Sequence, residues 1–188
     1  MKAIPFLLMT CAALMSAPSV ASEPTSHSLR AELIRMKEAD QAARSLRLED
    51  EDEIRVLTAI DAVNTARLKS IVAESGWPSQ SLVGSDGAEA AWLLAQHADA
   101  DPAFQRSVLA LIEPLVAAGE VKASSYAYLW DRTHDPQLYG TQGRCRQDGQ
   151  WEPRTIDDPD HVDARRAQVG LSPMAEYRGM VSKHCPRD

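Results

Sequence analysis

The sequence is poor in several residue types on which common classes of protein depend. Among its 188 residues are only three cysteines, and aromatic residues make up 5% of the chain. Lysine and arginine number 20 against 27 aspartates and glutamates, so the formal net charge is -7. Nucleic acids and anionic lipid surfaces attract basic proteins, and this shortage of positive charge therefore argues against both as partners.

Familiar catalytic signatures are also missing. The chain has no glycine-rich phosphate loop and no G-x-S-x-G nucleophile elbow, which argues against the nucleotide-binding and serine-hydrolase classes that carry them. The stretch HADAD, residues 97–101, offers a histidine and two aspartates to a metal. However, Asp101 precedes Pro102, an arrangement typical of a helix N-cap and first helical position. We therefore predict no metal site and no cofactor.

A long hydrophobic run occurs only at the N-terminus. Lys2 is followed by the apolar segment Ala3–Met15 and by the small residues of Ser16–Ser22. This order is typical of a secretory signal peptide, and we expect cleavage after Ala21, leaving residues 22–188 as the mature chain. The alternative is an N-terminal membrane anchor, but the run is short for a spanning helix, so no stable anchor is expected. The predicted location is periplasmic or secreted.

Cleavage would leave two cysteines. It removes Cys11 and retains Cys145 and Cys185. An even number of cysteines in an oxidising compartment predicts a disulfide between them. The alternative is a thiol pair or a metal site that includes His184.

The remaining chain reads as mainly helical. Apolar residues recur at helical spacing from Ser28 onward, and Gly87–Ala98 is apolar almost all round, which predicts a central helix. The helix that begins at Pro102 should kink or end at Pro114. Asp158-Pro159 and Ser172-Pro173 should open the last two helices.

One segment departs from the helical period. Leu138–Arg144 and Trp151–Thr155 flank Asp148-Gly149, a plausible hairpin turn. We therefore predict a mainly α fold. It comprises a single helical domain, residues 22–188, of about six to seven helices with a small β-hairpin near the C-terminal third.

Polar residues interrupt the apolar stripes of several predicted helices. These residues are Asp40, Asp61, Asn64, Gln96, His97 and Gln105. Burying an unpaired polar group costs a few kcal/mol, and a domain that is stable by only about 5–15 kcal/mol could not carry several such costs separately. We therefore expect these side chains to satisfy one another or to line a wet pocket.

The stretch DRTHDPQLYGTQGRC, residues 131–145, supplies further polar groups. Arg132 could neutralise Asp40 or Asp61, and Asp131 could orient the imidazole of His97. An acid–base pair could form between His97 and either Asp131 or Asp99. Tyr139 and Gln142 lie on one face if the segment is extended, although they are one residue out of strict alternation, and Gly140 allows the bend that would bring both inward. We therefore predict His97 and Asp131 as catalytic residues. The predicted ligand-binding residues are Asp40, Asp61, Asn64, Gln96, Gln105, Arg132, Gln137, Tyr139 and Gln142.

These residues permit two interpretations. One is a buried hydrogen-bond network that only fixes the packing of the helices. The other is an interior pocket that binds or hydrolyses a small polar ligand. The leading hypothesis is an exported protein with such a pocket. The alternative is a protein-binding envelope module, of the inhibitor or immunity type, that uses its acidic surface while the polar cluster is scaffold. A purely structural envelope domain is the third hypothesis.

Four segments resemble a known bacterial family in their order and spacing. They are NTARLKSIVAESGWPSQSLVG, AAWLLAQHADADPAFQ, YAYLWDRTHDPQLYGTQ and DARRAQVGLSPMAEY. The family is catalogued as domain of unknown function 6624, and the resemblance extends from about Leu29 to Tyr177. Its recurrent polar positions correspond to Asp40, Gln41, Asn64, Gln96, His97, Asp99, Gln105, Asp131, Arg132, Gln137, Tyr139, Gly140, Thr141, Gln142 and Arg166. The resemblance implies no reaction, cofactor or ligand.

Overall fold

The computed structural model describes residues 25–45 and 50–186, and the predicted signal peptide lies outside these ranges. The α-helices are α1 (His27–Arg44), α2 (Glu51–Ser75), α3 (Gln80–Gln96), α4 (Pro102–Ala117), α5 (Ala123–Thr133), α6 (Val162–Gln168) and α7 (Met174–Val181). Short 3-10 helices cover Pro159–His161 and Ser182–His184. The predicted mainly helical fold is confirmed. Within the described ranges, no helix is long and apolar enough to cross a membrane.

Helices α1 to α5 all contribute to the larger core. Arg44 at the end of α1 contacts Asp61 near the middle of α2, whereas the earlier Glu32 contacts the later Arg67, so the two helices run antiparallel. Helix α3 is buried between its neighbours, as predicted. Its Ala90, Ala91 and Ala95 are completely buried. These small side chains allow the surrounding helices to approach closely.

Helix α4 begins as predicted, because the Asp101 side chain accepts a hydrogen bond from the backbone N–H of Phe104. The helix does not end at Pro114, since it continues to Ala117. Pro114 lies in the last turn with its side chain exposed, so the missing N–H removes only one bond near the helix end.

The hairpin consists of strands β1 (Gly143–Cys145) and β2 (Trp151–Pro153), which pair antiparallel. Its first strand is shorter than predicted, because residues 138–142 form a loop rather than an extended strand. The hairpin packs on α7 through a second apolar cluster that includes Trp151, Met174 and Tyr177.

The predicted partners Cys145 and Cys185 form a disulfide in the structure, with their Cα atoms 5.4 Å apart. This bond ties β1 to the end of the C-terminal 3-10 helix. A second link joins the same two regions, because Trp151 donates its backbone N–H to the hydroxyl of Ser182. The C-terminal segment is therefore fastened to the hairpin from both strands.

Candidate functional site

A histidine and a buried carboxylate meet where α3 ends. His97 is the C-cap residue of α3, and its Nδ1 lies 2.9 Å from both carboxylate oxygens of Asp40 on α1. The Asp40 side chain is 1% exposed, whereas the His97 side chain is 20% exposed. The Asp40–His97 pair therefore joins a fully buried acid to a partly accessible ring.

Arg44 connects this pair to α2. Its Nη2 donates to Oδ1 of Asp61 at 2.6 Å and to Oδ1 of Asp40 at 3.3 Å. Its Nε lies 2.9 Å from Nδ1 of His97. Gln41 completes the set by donating its amide to Asp40 at 2.7 Å. One cation thus holds two carboxylates and an imidazole from three helices together.

The protonation of the His97 ring follows from these contacts. Nε of Arg44 always carries a hydrogen and a carboxylate only accepts, so Nδ1 either donates to Asp40 or accepts from Arg44. Donation to Asp40 satisfies more groups, because Arg44 retains both carboxylates as acceptors. In that tautomer Nε2 carries the lone pair, and it has no hydrogen-bond partner among the residues that the structure describes.

The two carboxylates of this site differ in acidity. Burial raises the pKa of Asp40, but hydrogen bonds from His97, Gln41 and Arg44 outweigh it and lower the pKa to about 2. Burial raises the pKa of Asp61, and the attraction of Arg44 only partly offsets this effect. Asp40 therefore stays ionised at neutral pH as the partner of His97.

The lowered pKa of Asp40 predicts how the stability of the protein depends on pH. A carboxylate whose pKa is lowered on folding stabilises the protein above its unfolded pKa, and this contribution is lost as pH falls through the folded pKa. The Asp40 pKa falls from 3.8 to about 2, a shift that corresponds to roughly 2 kcal/mol. Urea unfolding should therefore show wild type more stable than Asp40→Asn at neutral pH, with the difference shrinking below about pH 4. A difference that stays constant down to about pH 2 would contradict this assignment.

The Asp131 carboxylate binds a loop rather than His97. Asp131 is completely buried, and its carboxylate accepts hydrogen bonds from the backbone N–H groups of Leu138, Tyr139 and Thr141 and from the Thr141 hydroxyl. These distances are between 2.8 and 3.1 Å. Asp131 therefore supplies the acceptors that a loop without regular secondary structure would otherwise lack.

The carbonyl groups of the same loop are held by other side chains. Arg165 donates to the carbonyl of Leu138, and the fully buried Arg166 donates to that of Tyr139. Tyr177 donates its hydroxyl to the carbonyl of Thr141 at 3.0 Å. Gln137, also fully buried, accepts from the N–H of Gln142 and donates to its carbonyl. The loop of residues 137–142 is therefore held at nearly every backbone group.

A third set of contacts lies between these two networks. Arg132 donates to Asp99 through Nε at 2.8 Å and to Gln142 through Nη1 at 2.9 Å. Gln105 donates its amide to the carbonyls of Ala95 and Gln96, each at 3.1 Å. The end of α3 therefore carries His97 on the Asp40 side and Asp99 on the Arg132 side.

The structure corrects two predicted pairings. Asp131 does not orient His97, because both of its oxygens are used by the loop; Asp40 has that role. Arg132 does not neutralise Asp40 or Asp61 and instead binds Asp99. The neutralising residue is Arg44, which the sequence analysis missed. The sequence does indicate this pairing, because Arg44 follows Asp40 by four residues and so lies on the same helix face.

The remaining predicted ligand-binding residues are distributed between these sets. The Gln137 side chain binds the backbone of its own loop, and the Gln142 side chain binds Arg132. The Gln105 side chain, on α4, binds a backbone carbonyl at the end of α3. Tyr139 is half-buried on the loop, and burial raises the pKa of its hydroxyl. Asn64 and Gln96 are buried, and in each the side-chain amide nitrogen finds no hydrogen-bond partner in the described ranges.

The corrected pairing gives a matched pair of substitutions. Arg44→Met should lower the free energy of unfolding by about 2 kcal/mol, because two poorly solvated carboxylates lose their cation. Arg132→Met should cost less than about 1 kcal/mol, because its partner Asp99 has a half-exposed side chain. Chemical denaturation at neutral pH measures both values. Equal losses, or a larger loss for Arg132→Met, would contradict this division of roles between the two arginines.

Among the cavities of the described surface, five lie apart from the centres of these networks. None of the five is lined by Asp40, His97 or Asp131. The cavity closest to His97 along the chain has a volume of about 360 Å³ and includes Ala100 and Asp101. Over residues 25–45 and 50–186 there is no group of three or more His, Cys, Asp or Glu side chains that could hold a metal ion.

The comparisons with known proteins agree with the resemblance noted in the sequence. No curated protein and no solved structure matches the chain. The model of DUF6624, a family of unknown function, matches residues 27–184. That range contains the Asp40–His97 pair, Arg44, Asp61 and the loop held by Asp131. The chain therefore belongs to the DUF6624 family.

Proposed function

We propose that this chain is an exported protein that binds a small polar ligand beside the Asp40–His97 pair and hydrolyses it. The observation that carries the proposal is the position of the imidazole. Nδ1 is held by a buried carboxylate, while Nε2 has no partner among the described residues and the side chain is 20% exposed. A histidine held in this way is suited to general acid–base catalysis.

The site contains groups for each stage of a hydrolysis. Nε2 of His97 takes a proton from water, and the water oxygen bonds to the carbonyl carbon of the ligand. The carbonyl oxygen becomes an oxyanion, which Arg44 is placed to stabilise, since its Nη1 makes no hydrogen bond in the described part of the chain. The oxyanion then reforms the carbonyl, the bond to the leaving group breaks, and His97 returns the proton to that group.

Two buried amide groups also support a ligand site here. The buried amide nitrogens of Asn64, one turn after Asp61, and of Gln96, next to His97, are unsatisfied within the described ranges. Unsatisfied buried donors are costly, and a ligand that supplies an acceptor would relieve that cost. Export is supported by the order of the N-terminal segments and by the Cys145–Cys185 disulfide.

A panel of chromogenic esters and anilides tests the proposal. Wild type should hydrolyse at least one member of the panel, and Asp40→Asn should lose about tenfold or more of kcat/KM because His97 is no longer held by a carboxylate. His161→Asn is the control, because His161 pairs with Asp158 on an exposed surface. Equal turnover by wild type and Asp40→Asn would contradict a role for the pair.

The alternative function, a protein-binding module, is favoured by one observation. Helix α2 exposes Val56 and Val63, at 47% and 68%, and these residues lie seven positions apart on the same helix face. An envelope partner that binds this face should be captured by wild type and lost with a Val56→Glu, Val63→Glu double variant. Under this alternative, Asp40→Asn would leave partner binding unchanged.

A further inference from the structure

The charges around the Asp40–His97 pair do not balance. The guanidinium of Arg44 donates to two carboxylates, those of Asp40 and Asp61, through its Nη2. The imidazole of His97 is neutral in the tautomer that donates to Asp40. Among the residues that the structure describes, one cation therefore faces two anions at this site. The excess charge is negative, and it agrees in sign with the formal net charge of -7 of the whole chain.

Asp61 is the carboxylate that a ligand can reach. Its side chain is 23% exposed, whereas the Asp40 side chain is 1% exposed. Both oxygens of Asp40 accept hydrogen bonds from neighbouring side chains. In Asp61 only Oδ1 is bound, by Arg44 at 2.6 Å, and Oδ2 has no hydrogen-bond partner over residues 25–45 and 50–186. Asp61 therefore keeps one free and partly accessible acceptor.

The surroundings of Asp61 favour a further cation. Burial raises the pKa of Asp61, and the negative charge of Asp40 adds to this effect, while the attraction of Arg44 only partly offsets it. A positively charged donor at Oδ2 would stabilise the ionised carboxylate by a charge-assisted hydrogen bond. A ligand carboxylate in the same place would instead add a further negative charge, which repulsion from Asp40 and Asp61 disfavours.

This free acceptor adjoins the position assigned to the oxyanion. Asp61 is bound at Nη2 of Arg44, and the oxyanion is assigned to Nη1 of the same planar guanidinium. From this geometry, and on the basis of the proposed function, we infer that the substrate carries a free amino group close to its carbonyl group, as an aminoacyl ester or amide does. The protonated amine donates to Oδ2 of Asp61 while the carbonyl oxygen faces Arg44.

Paired p-nitroanilides of several amino acids, with the amino group free or acetylated, test this assignment. Wild-type kcat/KM should be about tenfold or more higher on the free amines, because acetylation removes the charge that Asp61 binds. Asp61→Asn should lose this preference, since its amide oxygen can still accept from Arg44 but carries no charge. Glu74→Gln is the matched control, because it changes an exposed carboxylate of the same helix to an amide, and it should keep the preference. Equal wild-type rates within every pair, or a preference that survives in Asp61→Asn, would overturn the assignment.

Binding without turnover separates this inference from the proposed function. Alanine amide titrated into His97→Asn should shift the Nε–H NMR signal of Arg44 at concentrations about tenfold lower than N-acetylalanine amide requires. Adding Asp61→Asn to that variant should remove the difference. If the difference is found but wild type hydrolyses no ester or anilide, the amine site stands and the proposed hydrolysis fails. If substrates are hydrolysed with no preference for a free amine and the two amides titrate alike, the amine site fails and the hydrolysis stands.

Discussion

Asp131→Ala is expected to lower the free energy of unfolding by about 4 kcal/mol. The substitution leaves the N–H groups of Leu138, Tyr139 and Thr141 and the Thr141 hydroxyl without their acceptor. Each unsatisfied buried donor costs roughly 1–3 kcal/mol, and partial exposure of the loop to water limits the sum. The melting temperature should fall by roughly 10 °C in a domain of this size.

Chemical and thermal denaturation measure this loss. Asp135→Ala is the control, because Asp135 is an exposed acid in the same segment, and it should change stability by less than about 0.5 kcal/mol. Asp131 was predicted as a catalytic residue, and a catalytic acid could be removed with little loss of stability. An Asp131→Ala variant as stable as the control would show that the loop does not depend on this carboxylate.

His97→Asn is expected to preserve stability and to lower catalytic activity, in contrast to Asp131→Ala. The asparagine amide nitrogen occupies nearly the position of Nδ1 and can still donate to Asp40, whereas Nε2 is removed. Stability should therefore change by less than about 1 kcal/mol, while kcat/KM on the best ester of the panel falls by about 100-fold or more.

The control for this variant is again His161→Asn, which should keep both stability and turnover. His97→Gln provides a second comparison, since its amide extends past the Nδ1 position and should hold Asp40 less well. If His97→Asn unfolds as readily as Asp131→Ala, or retains full turnover, then His97 is part of the scaffold rather than a catalytic group.

The burial of the polar residues was predictable because it follows from helical period alone. Asp40 shares a helix face with Leu33, and Gln105 shares one with Leu109 and Ile112. A residue in register with an apolar stripe is carried inward whatever its own polarity. Accordingly, Asp40, Asn64, Gln96 and Gln105 are all buried.

The partners of these residues were less predictable. Asp131 binds mainly backbone N–H groups, which every residue except proline carries, so no side-chain pattern marks them as its partners. Arg44 stands at the end of a helix, where an arginine is usually solvated. Its role depends on where α2 and α3 cross α1, and a single sequence without contacts does not give that geometry.

The loop of residues 137–142 shows the same limit. The sequence predicted an extended segment over Leu138–Arg144, with a bend at Gly140 that would bring Tyr139 and Gln142 inward. In the structure Gly140 has a φ of 68°, in the region that favours glycine, and a side chain there would collide with Ile156 and Met174. The backbone therefore turns at Gly140, and the hydrogen bonds of a strand are replaced by those of Asp131, Arg166 and Gln137.

Native mass spectrometry of the exported protein, purified from the envelope of the organism that makes it, tests the central claim most directly. The claim is that the Asp40–His97 pair is a ligand site, whereas the Asp131 network holds the fold. Wild type should carry a small bound species that is reduced or absent in His97→Asn at an equal melting temperature. The same bound species in both proteins, or a loss that follows stability in every variant, would contradict the claim.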